Sequence, residues 1–107
     1  MQDQWTLQVF LNHVEFGMNL QEAVDAPSFH SAHFRSSFYP REGEPGAVAV
    51  EGRIPQEVRK ALEARGHIVH VSGDWQHGQA LAIRFDADSG VISGAASPRG
   101  ASYALGW

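Results

Sequence analysis

Two stretches of the chain carry apolar residues at helical spacing. The first runs from about Asp3 to Phe16, and the second begins at Pro55, which suits the first turn of a helix. A glycine follows each stretch, at Gly17 and Gly66, where a left-handed residue commonly ends a helix. We therefore predict two amphipathic helices. Their apolar positions are Leu7, Phe10, Leu11 and Val14 in the first, and Ile54, Val58, Ala61 and Leu62 in the second.

A third, shorter helix is predicted between these two. Asn19 is a good N-cap residue, and Glu22 follows three positions later, as in a capping box. Pro27 disfavours helical geometry at Ala26 and therefore keeps this helix short. Together with the first helix it forms a predicted αα-hairpin.

Other stretches alternate between apolar and polar positions, which is typical of strands. Residues 79–85 and 91–96 flank a turn-forming segment and predict a β-hairpin. Residues 47–51 and 67–72 are also predicted strands, and residues 28–39 suit an extended segment. The order of these elements indicates an α+β fold. We expect a single domain over residues 1–107, with a largely antiparallel sheet and the helices on one face.

Composition and charge narrow the classes of partner. The 107 residues carry 8 Lys and Arg against 12 Asp and Glu, a net charge of −4 with histidine neutral. Since the basic residues form no stripe, we expect no nucleic-acid partner. No apolar run approaches the roughly 20 residues of a membrane helix, and the N-terminus lacks the regions of a signal peptide. We expect no membrane partner, and the compartment stays open.

Six histidines and no cysteine raise the question of a metal site. His30 and His33 are three positions apart in a predicted extended segment, as are His67 and His70 in a predicted strand. An odd spacing in a strand sends two side chains to opposite faces. A zinc site would therefore need one histidine of each pair and a third ligand. We expect no metal and no cofactor, and a site of His30, His67 and His77 is the less favoured alternative.

No nucleophile stands out in the sequence. There is no Gly-x-Ser-x-Gly motif, and Thr6, the only threonine, lies within the first predicted helix. A serine, a histidine and an aspartate brought together by the fold stay an open alternative.

Trp75 lies in a loop, where covering a sheet edge is favoured over contact with a partner. Arg99, in the C-terminal tail, is expected to bind carboxylate or carbonyl groups in preference to a substrate.

Several motifs, taken in order, resemble one known family, the gamma-glutamyltranspeptidases, which are N-terminal nucleophile hydrolases. Each motif is moderately specific by itself, and their common order along the whole chain is the stronger signal. The matching segments are QDQW at 2–5, FGMN at 16–19, QEAVDAP at 21–27, LEARGHIV at 62–69, GAASPR at 94–99 and ALGW at 104–107.

The resemblance implies a protein that cleaves itself into a heavy and a light subunit. The new N-terminal threonine of the light subunit attacks a gamma-glutamyl amide such as glutathione, and the gamma-glutamyl group passes to water or to an amine. The resemblance places this chain in about the last half of the light subunit, as part of an αββα sandwich. The nucleophile then lies upstream, and no residue of this chain is expected to be catalytic.

The resemblance also implies a supporting role for this chain, which we expect to be inactive alone. Gln2, Asp3 and Arg99 are the candidate structural residues. The family usually has Asp at the position of Ser97 and Tyr at the position of Trp107, so the partner of Arg99 is an open question. The expected partner is the remainder of the enzyme, or a second copy bound through an exposed sheet face. The alternative is a free-standing interaction module that binds near Trp75 and Tyr39.

Overall fold

The computed structural model describes residues 2–106, so the expectation about Trp107 lies outside the described residues. Within them the chain forms three helices and five strands, which confirms the α+β class. The helices are α1 (Gln2–Val14), α2 (Leu20–Asp25) and α3 (Gln56–Ala64). The strands are β1 (Phe29–Ser31), β2 (Ala47–Glu51), β3 (Ile68–Ser72), β4 (Leu81–Phe85) and β5 (Ile92–Ala96). No helix in residues 2–106 has the length and apolar character needed to cross a bilayer.

The chain divides into two compact units. The first contains residues 2–26 and 78–106, and the second contains residues 27–77. Strands β4 and β5 belong to the first unit, whereas β1, β2 and β3 belong to the second. The strands therefore form two sheets instead of the one sheet that the sequence predicted.

The first unit is built on the αα-hairpin and the β4–β5 hairpin. The Asn19 side chain accepts a hydrogen bond from the Glu22 backbone N–H at 2.9 Å, and the Glu22 carboxylate accepts from the Asn19 backbone N–H at 3.4 Å. This confirms the predicted capping box at the start of α2. Strands β4 and β5 pair in antiparallel register, and α2 packs on them. The small core of this unit contains Ala23, Val24 and Ala95.

Gly78 lies very close to the Trp5 side chain within the first unit. It has a positive φ of 75°, and a Cβ at this position would lie 2.8 Å from the ring of Trp5. Glycine therefore suits this position for two reasons, since it tolerates the left-handed conformation and leaves room for the indole. The contact holds α1 against the segment that leads into β4.

The second unit contains a mixed sheet with the order β1-β2-β3. Strands β1 and β2 are antiparallel, but β2 and β3 are parallel, from Ala47 opposite Ile68 to Glu51 opposite Ser72. The expectation of antiparallel pairing does not hold for this pair because α3 connects the two strands. A helix between two strands returns the chain to the end of the sheet where it began, so the strands run in the same direction.

One face of the β4–β5 hairpin is apolar and exposed. Leu81, Ile83 and Phe85 alternate along β4, and Ile92 lies directly opposite Phe85, so all four side chains share this face. They are between 65% and 80% exposed. We call this surface the hairpin face. It is the exposed apolar sheet face that the sequence analysis expected.

Candidate functional site

The three predicted site residues all lie in the first unit, in two places. Gln2 and Asp3 are in the first turn of α1. Arg99 follows β5 and reaches the C-terminal end of α2, where its guanidinium donates to the carbonyl oxygen of Val24 at 2.6 Å and to that of Ala26 at 2.7 Å. Carbonyls at the end of a helix lack helical partners and carry partial negative charge, so an arginine there is favourable.

Ser97, where the family usually has Asp, is fully buried beside Arg99. Its hydroxyl oxygen accepts from the Arg99 backbone N–H at 3.2 Å and from the guanidinium at 3.3 Å. The Ser97 carbonyl accepts from the Ser102 hydroxyl at 3.0 Å. The Arg99 guanidinium thus contacts two helix-end carbonyls and one hydroxyl.

Glu51 is the centre of the second unit, and sequence reasoning missed it. This carboxylate is fully buried, although it lies at the end of β2. One oxygen accepts from the backbone N–H groups of Gln76 and His77, both at 3.0 Å. The other accepts from the Ser28 backbone N–H at 3.0 Å and from the Arg53 guanidinium at 3.1 Å. Glu51 therefore ties β2 to two loops that lie 23 and 26 residues away.

The Arg53 side chain extends this cluster to Trp75. Its guanidinium carbon lies 3.4 Å from the centre of the Trp75 ring, which is a cation–π contact. Its Nε donates to the Asp74 carbonyl oxygen at 2.8 Å. Trp75 thus packs against the Arg53 side chain of its own unit.

His30 and His77 are brought together next to Glu51. Their rings meet edge to face with centres 4.6 Å apart, and the Ser28 hydroxyl donates to the His77 carbonyl oxygen at 2.8 Å. This serine hydroxyl is bonded to a backbone group and not to an imidazole, so the arrangement is not that of a serine nucleophile with its base.

The alternative metal site is not assembled in residues 2–106. His30 and His77 are adjacent, but no three His, Cys, Asp or Glu side chains in the described part of the chain are grouped to hold an ion. The proposed set of His30, His67 and His77 fails because His67 precedes β3 and does not join the other two. A zinc ion needs about four ligands at bonding distance, and two imidazoles do not supply them.

We expect the second unit to lose stability in mild acid because of His30. Burial lowers the pKa of the His30 imidazole below its usual 6.5, and the neighbouring His77 lowers this pKa further. The unfolded chain therefore binds a proton more readily than the folded chain. The contribution of His30 is present above about pH 6.5 and is lost as the pH falls below that value.

Urea unfolding at about pH 7.5 and about pH 5.5 tests this expectation. The wild-type chain should lose more stability between the two conditions than His30→Gln. His67→Gln, which changes an exposed histidine, should behave like the wild type. An equal acid loss in His30→Gln and the wild type would contradict the assignment.

Thr6, the only threonine, is committed to α1. Its hydroxyl donates to the carbonyl oxygen of Gln2 one turn earlier at 2.9 Å. It therefore lies inside a helix, and not at a chain start where an N-terminal nucleophile acts. Elsewhere the described residues form hydrogen-bonded clusters around Arg99 and Glu51.

Comparison with known proteins identifies the family. The family model described as gamma-glutamyltranspeptidase matches residues 1–107. The chain belongs to the gamma-glutamyltranspeptidase family. This confirms the resemblance found in the sequence motifs and places the α+β structure within the N-terminal nucleophile hydrolases.

Relatives within and near this family are much longer than the chain. The glutathione hydrolase-like YwrD proenzyme of Bacillus subtilis (strain 168) is 33% identical over 107 residues, which is 98% of this chain and 19% of that protein. The acylase ACY 1 proenzyme of Pseudomonas sp. (strain V22) is 38% identical over 90 residues, 84% of this chain and 14% of that protein. The solved structure of LmbA2991HD has a TM-score of 0.90 at 42% identity, covering 98% of this chain and 19% of that one. The chain thus spans about a fifth or less of the length of these relatives.

Proposed function

We propose that this chain is a supporting segment from the C-terminal half of a gamma-glutamyltranspeptidase light subunit, with the nucleophile supplied by polypeptide outside it. The observation that carries the proposal is the hairpin face, where four large apolar side chains lie exposed in the described structure. Surfaces of this kind mark sites where other polypeptide packs. The span of the chain, 19% of the YwrD proenzyme, supports the existence of such polypeptide.

The hairpin face continues into an apolar groove of the first unit, which supports the same proposal. A groove of about 760 Å³ lies between α1 and β4, lined by Phe10 and Val14 of the helix and by Ile83 and Phe85 of the strand. No residue of α1 is buried, and the four residues of its apolar stripe are between 38% and 59% exposed. We infer that the rest of the light subunit covers α1 and the hairpin face in the complete enzyme.

The proposed role of this segment is to hold helices and neighbouring backbone of the enzyme in position. Arg99 joins the end of α2 to the segment after β5, and the capping box fixes the start of the same helix. Gln2 and Asp3, in the first turn of α1, are placed to hold the backbone that precedes them, since the first N–H groups of a helix point toward that end. In the family reaction, a threonine of the complete subunit attacks the gamma-glutamyl carbonyl carbon. The amide C–N bond breaks, the amine leaves with the hydroxyl proton, and the ester that forms is then cleaved by water or another amine.

The substrate class is part of the proposal. The family model and the YwrD relative favour gamma-glutamyl amides such as glutathione, whereas ACY 1 is named an acylase. We propose the gamma-glutamyl class first, because the family model matches the whole chain. Other acyl amides are the second class to assay.

The chain by itself is expected to release no product from gamma-glutamyl p-nitroanilide above the buffer rate. The physical reason is that its one threonine hydroxyl is bonded within α1. The measurement is the absorbance of released p-nitroaniline over time with the purified chain. Thr6→Ala is the matched control. Turnover by the wild type that Thr6→Ala or a serine variant abolishes would contradict the proposal.

A replacement experiment tests the supporting role directly. The segment of the YwrD proenzyme that matches this chain is either deleted or exchanged for residues 1–107. We expect deletion to abolish glutathione hydrolysis and proenzyme cleavage, and the exchange to restore measurable amounts of both. Unchanged cleavage and hydrolysis after deletion would show that the segment supports neither.

A free-standing interaction module is the second candidate function, and Tyr39 favours it. Tyr39 is almost fully exposed, whereas Trp75 is occupied by the Arg53 contact. The sheet face near Trp75 is therefore a weaker candidate surface than the loop that carries Tyr39.

A further inference from the structure

The segment between β1 and β2 is an ordered projection of the second unit. We call residues 32–46 the arm. At its base the Ala32 N–H donates to the Ala47 carbonyl at 3.0 Å, and the Glu44 N–H donates to the Ala32 carbonyl at 2.8 Å. Further out, the Ser36 N–H donates to the Glu42 carbonyl at 2.8 Å. These bonds join the two sides of the arm, so it holds its shape without packing against a core.

The base of the arm is also tied by a histidine. The Gly46 backbone N–H donates to Nδ1 of His33 at 2.8 Å. The His33 ring in turn meets the Phe34 ring edge to face with centres 4.9 Å apart. The position of the first aromatic residue of the arm is therefore set by contacts within the arm.

The tip of the arm displays aromatic side chains to solvent. Phe34, Phe38 and Tyr39 are between 81% and 93% exposed. Three such rings on one short, internally bonded segment form a surface typical of a binding contact, because aromatic residues dominate the energy of protein interfaces.

The charge of the tip is opposite to that of the rest of the chain. Residues 34–41 contain Arg35 and Arg41 and no acidic residue. The rest of the second unit contains 4 basic and 6 acidic residues, a net charge of −2. Neither arginine forms a salt bridge within the described residues. The second unit of another copy therefore carries a net charge opposite to that of the tip.

The second unit also carries a surface that can receive aromatic side chains. A groove of about 740 Å³ lies between α3 and the β1–β2 face, and we call it the α3 groove. It lies in the size range of pockets that hold drug-sized ligands, about 300–1,000 Å³. Its lining is mostly apolar and includes Phe29, Val50, Ile54, Val58 and Leu62. His33 and Phe34, at the start of the arm, line the same groove, so the arm begins at its rim.

We propose that two copies of this chain associate by exchanging arms, with Phe38 and Tyr39 of each copy in the α3 groove of the other. Arm and groove belong to the same unit, so one two-fold axis satisfies both contacts at once. The four rings that enter the two grooves of such a dimer would bury about 600 Å² before the groove surface is counted. With the groove surface, the total reaches the roughly 1,200 Å² of a specific interface. This inference does not depend on the proposed function.

Sedimentation velocity over a wide range of concentration tests the association. We expect a concentration-dependent monomer–dimer equilibrium in the wild type, weakened about 30-fold or more in Phe38→Ser/Tyr39→Ser. Arg35→Glu should weaken it to a smaller extent, and added salt should do the same. Ile83→Ser, which changes the hairpin face by one exposed apolar residue, is the matched control and should leave the equilibrium unchanged.

Engineered cysteines test the exchange itself, because the chain has none. Tyr39→Cys and Val58→Cys are purified separately, reduced, mixed and then oxidised. We expect a disulfide-linked heterodimer to form much faster than in a mixture of Tyr39→Cys with Ile83→Cys. Circular dichroism of each variant checks that the fold is retained.

Four outcomes would overturn the proposal. The first is a wild-type chain that stays monomeric at the highest concentration. The second is a dimer that Ile83→Ser disrupts and the arm variant does not. The third is equal disulfide formation in the two mixtures. The fourth is binding of the chain to vesicles of anionic lipid that requires Phe38 and Tyr39, which would assign the tip to a membrane surface.

Discussion

Replacing Glu51 by alanine is expected to unfold the second unit or bring it close to unfolding. The substitution removes the acceptor of three backbone N–H groups and leaves the Arg53 guanidinium beside an empty site. Removing one member of a buried, hydrogen-bonded ion pair costs about 3–5 kcal/mol. Small domains have a total stability of only about 5–15 kcal/mol.

Urea unfolding combined with hydrogen exchange measures this effect. Protection should fall most in residues 27–77, because the lost bonds join β2 to the segments at Ser28 and at Gln76. The stability of Glu51→Gln should lie between those of the wild type and Glu51→Ala. Its amide keeps one acceptor oxygen, but its NH₂ group meets the remaining N–H donors without an acceptor.

Glu44→Ala is the matched control for Glu51. The Glu44 carboxylate contacts His70 at 2.7 Å, but both side chains are about half exposed. Exposed pairs contribute at most about 1 kcal/mol, so this variant should be nearly as stable as the wild type. Equal losses for Glu44→Ala and Glu51→Ala would contradict the central place given to Glu51.

Replacing Arg99 by alanine is expected to destabilise the first unit by about 2–4 kcal/mol. The substitution removes two short hydrogen bonds from a charged donor to the carbonyls of Val24 and Ala26. Bonds to charged groups contribute about 1.5–3 kcal/mol each, and the positive charge is also lost from the end of α2.

The expected readout for Arg99→Ala is faster hydrogen exchange in α2 and in residues 97–103. Arg99→Lys should recover only part of the loss, since an ammonium group lacks the planar fork that reaches two carbonyls. Arg84→Ala removes an exposed arginine from β4 and is the matched control. If Arg84→Ala lost as much stability as Arg99→Ala, the loss would come from the change in net charge and not from the hydrogen bonds to α2.

Local signals in the sequence predicted the elements well. The spacing of Asn19, Glu22 and Pro27 located α2, and its capping box is present in the structure. The apolar stripes located α1 and α3 because side-chain periodicity is a property of neighbouring residues. The family motifs were also readable, since they are contiguous stretches of sequence.

Long-range features were not predictable in the same way. The parallel pairing of β2 with β3 depends on where α3 returns the chain, and that is a tertiary property. Glu51 reads as a polar residue at the end of a strand, and its partners are backbone groups at Ser28, Gln76 and His77, which leave no mark on the sequence. A glutamate directly after a run of buried β residues and before Gly52 was the only available hint.

The division of the chain has a consequence for its synthesis. Residues 27–77 are continuous, whereas the other unit is made of two segments that flank them. Because a polypeptide leaves the ribosome from its N-terminus, α1 and α2 emerge before the second unit and wait for β4 and β5, the strands on which α2 packs. Residues 27–77 can fold during that delay. Nascent-chain proteolysis would therefore find residues 2–26 cleavable until β4 and β5 have been translated, with residues 27–77 resistant earlier.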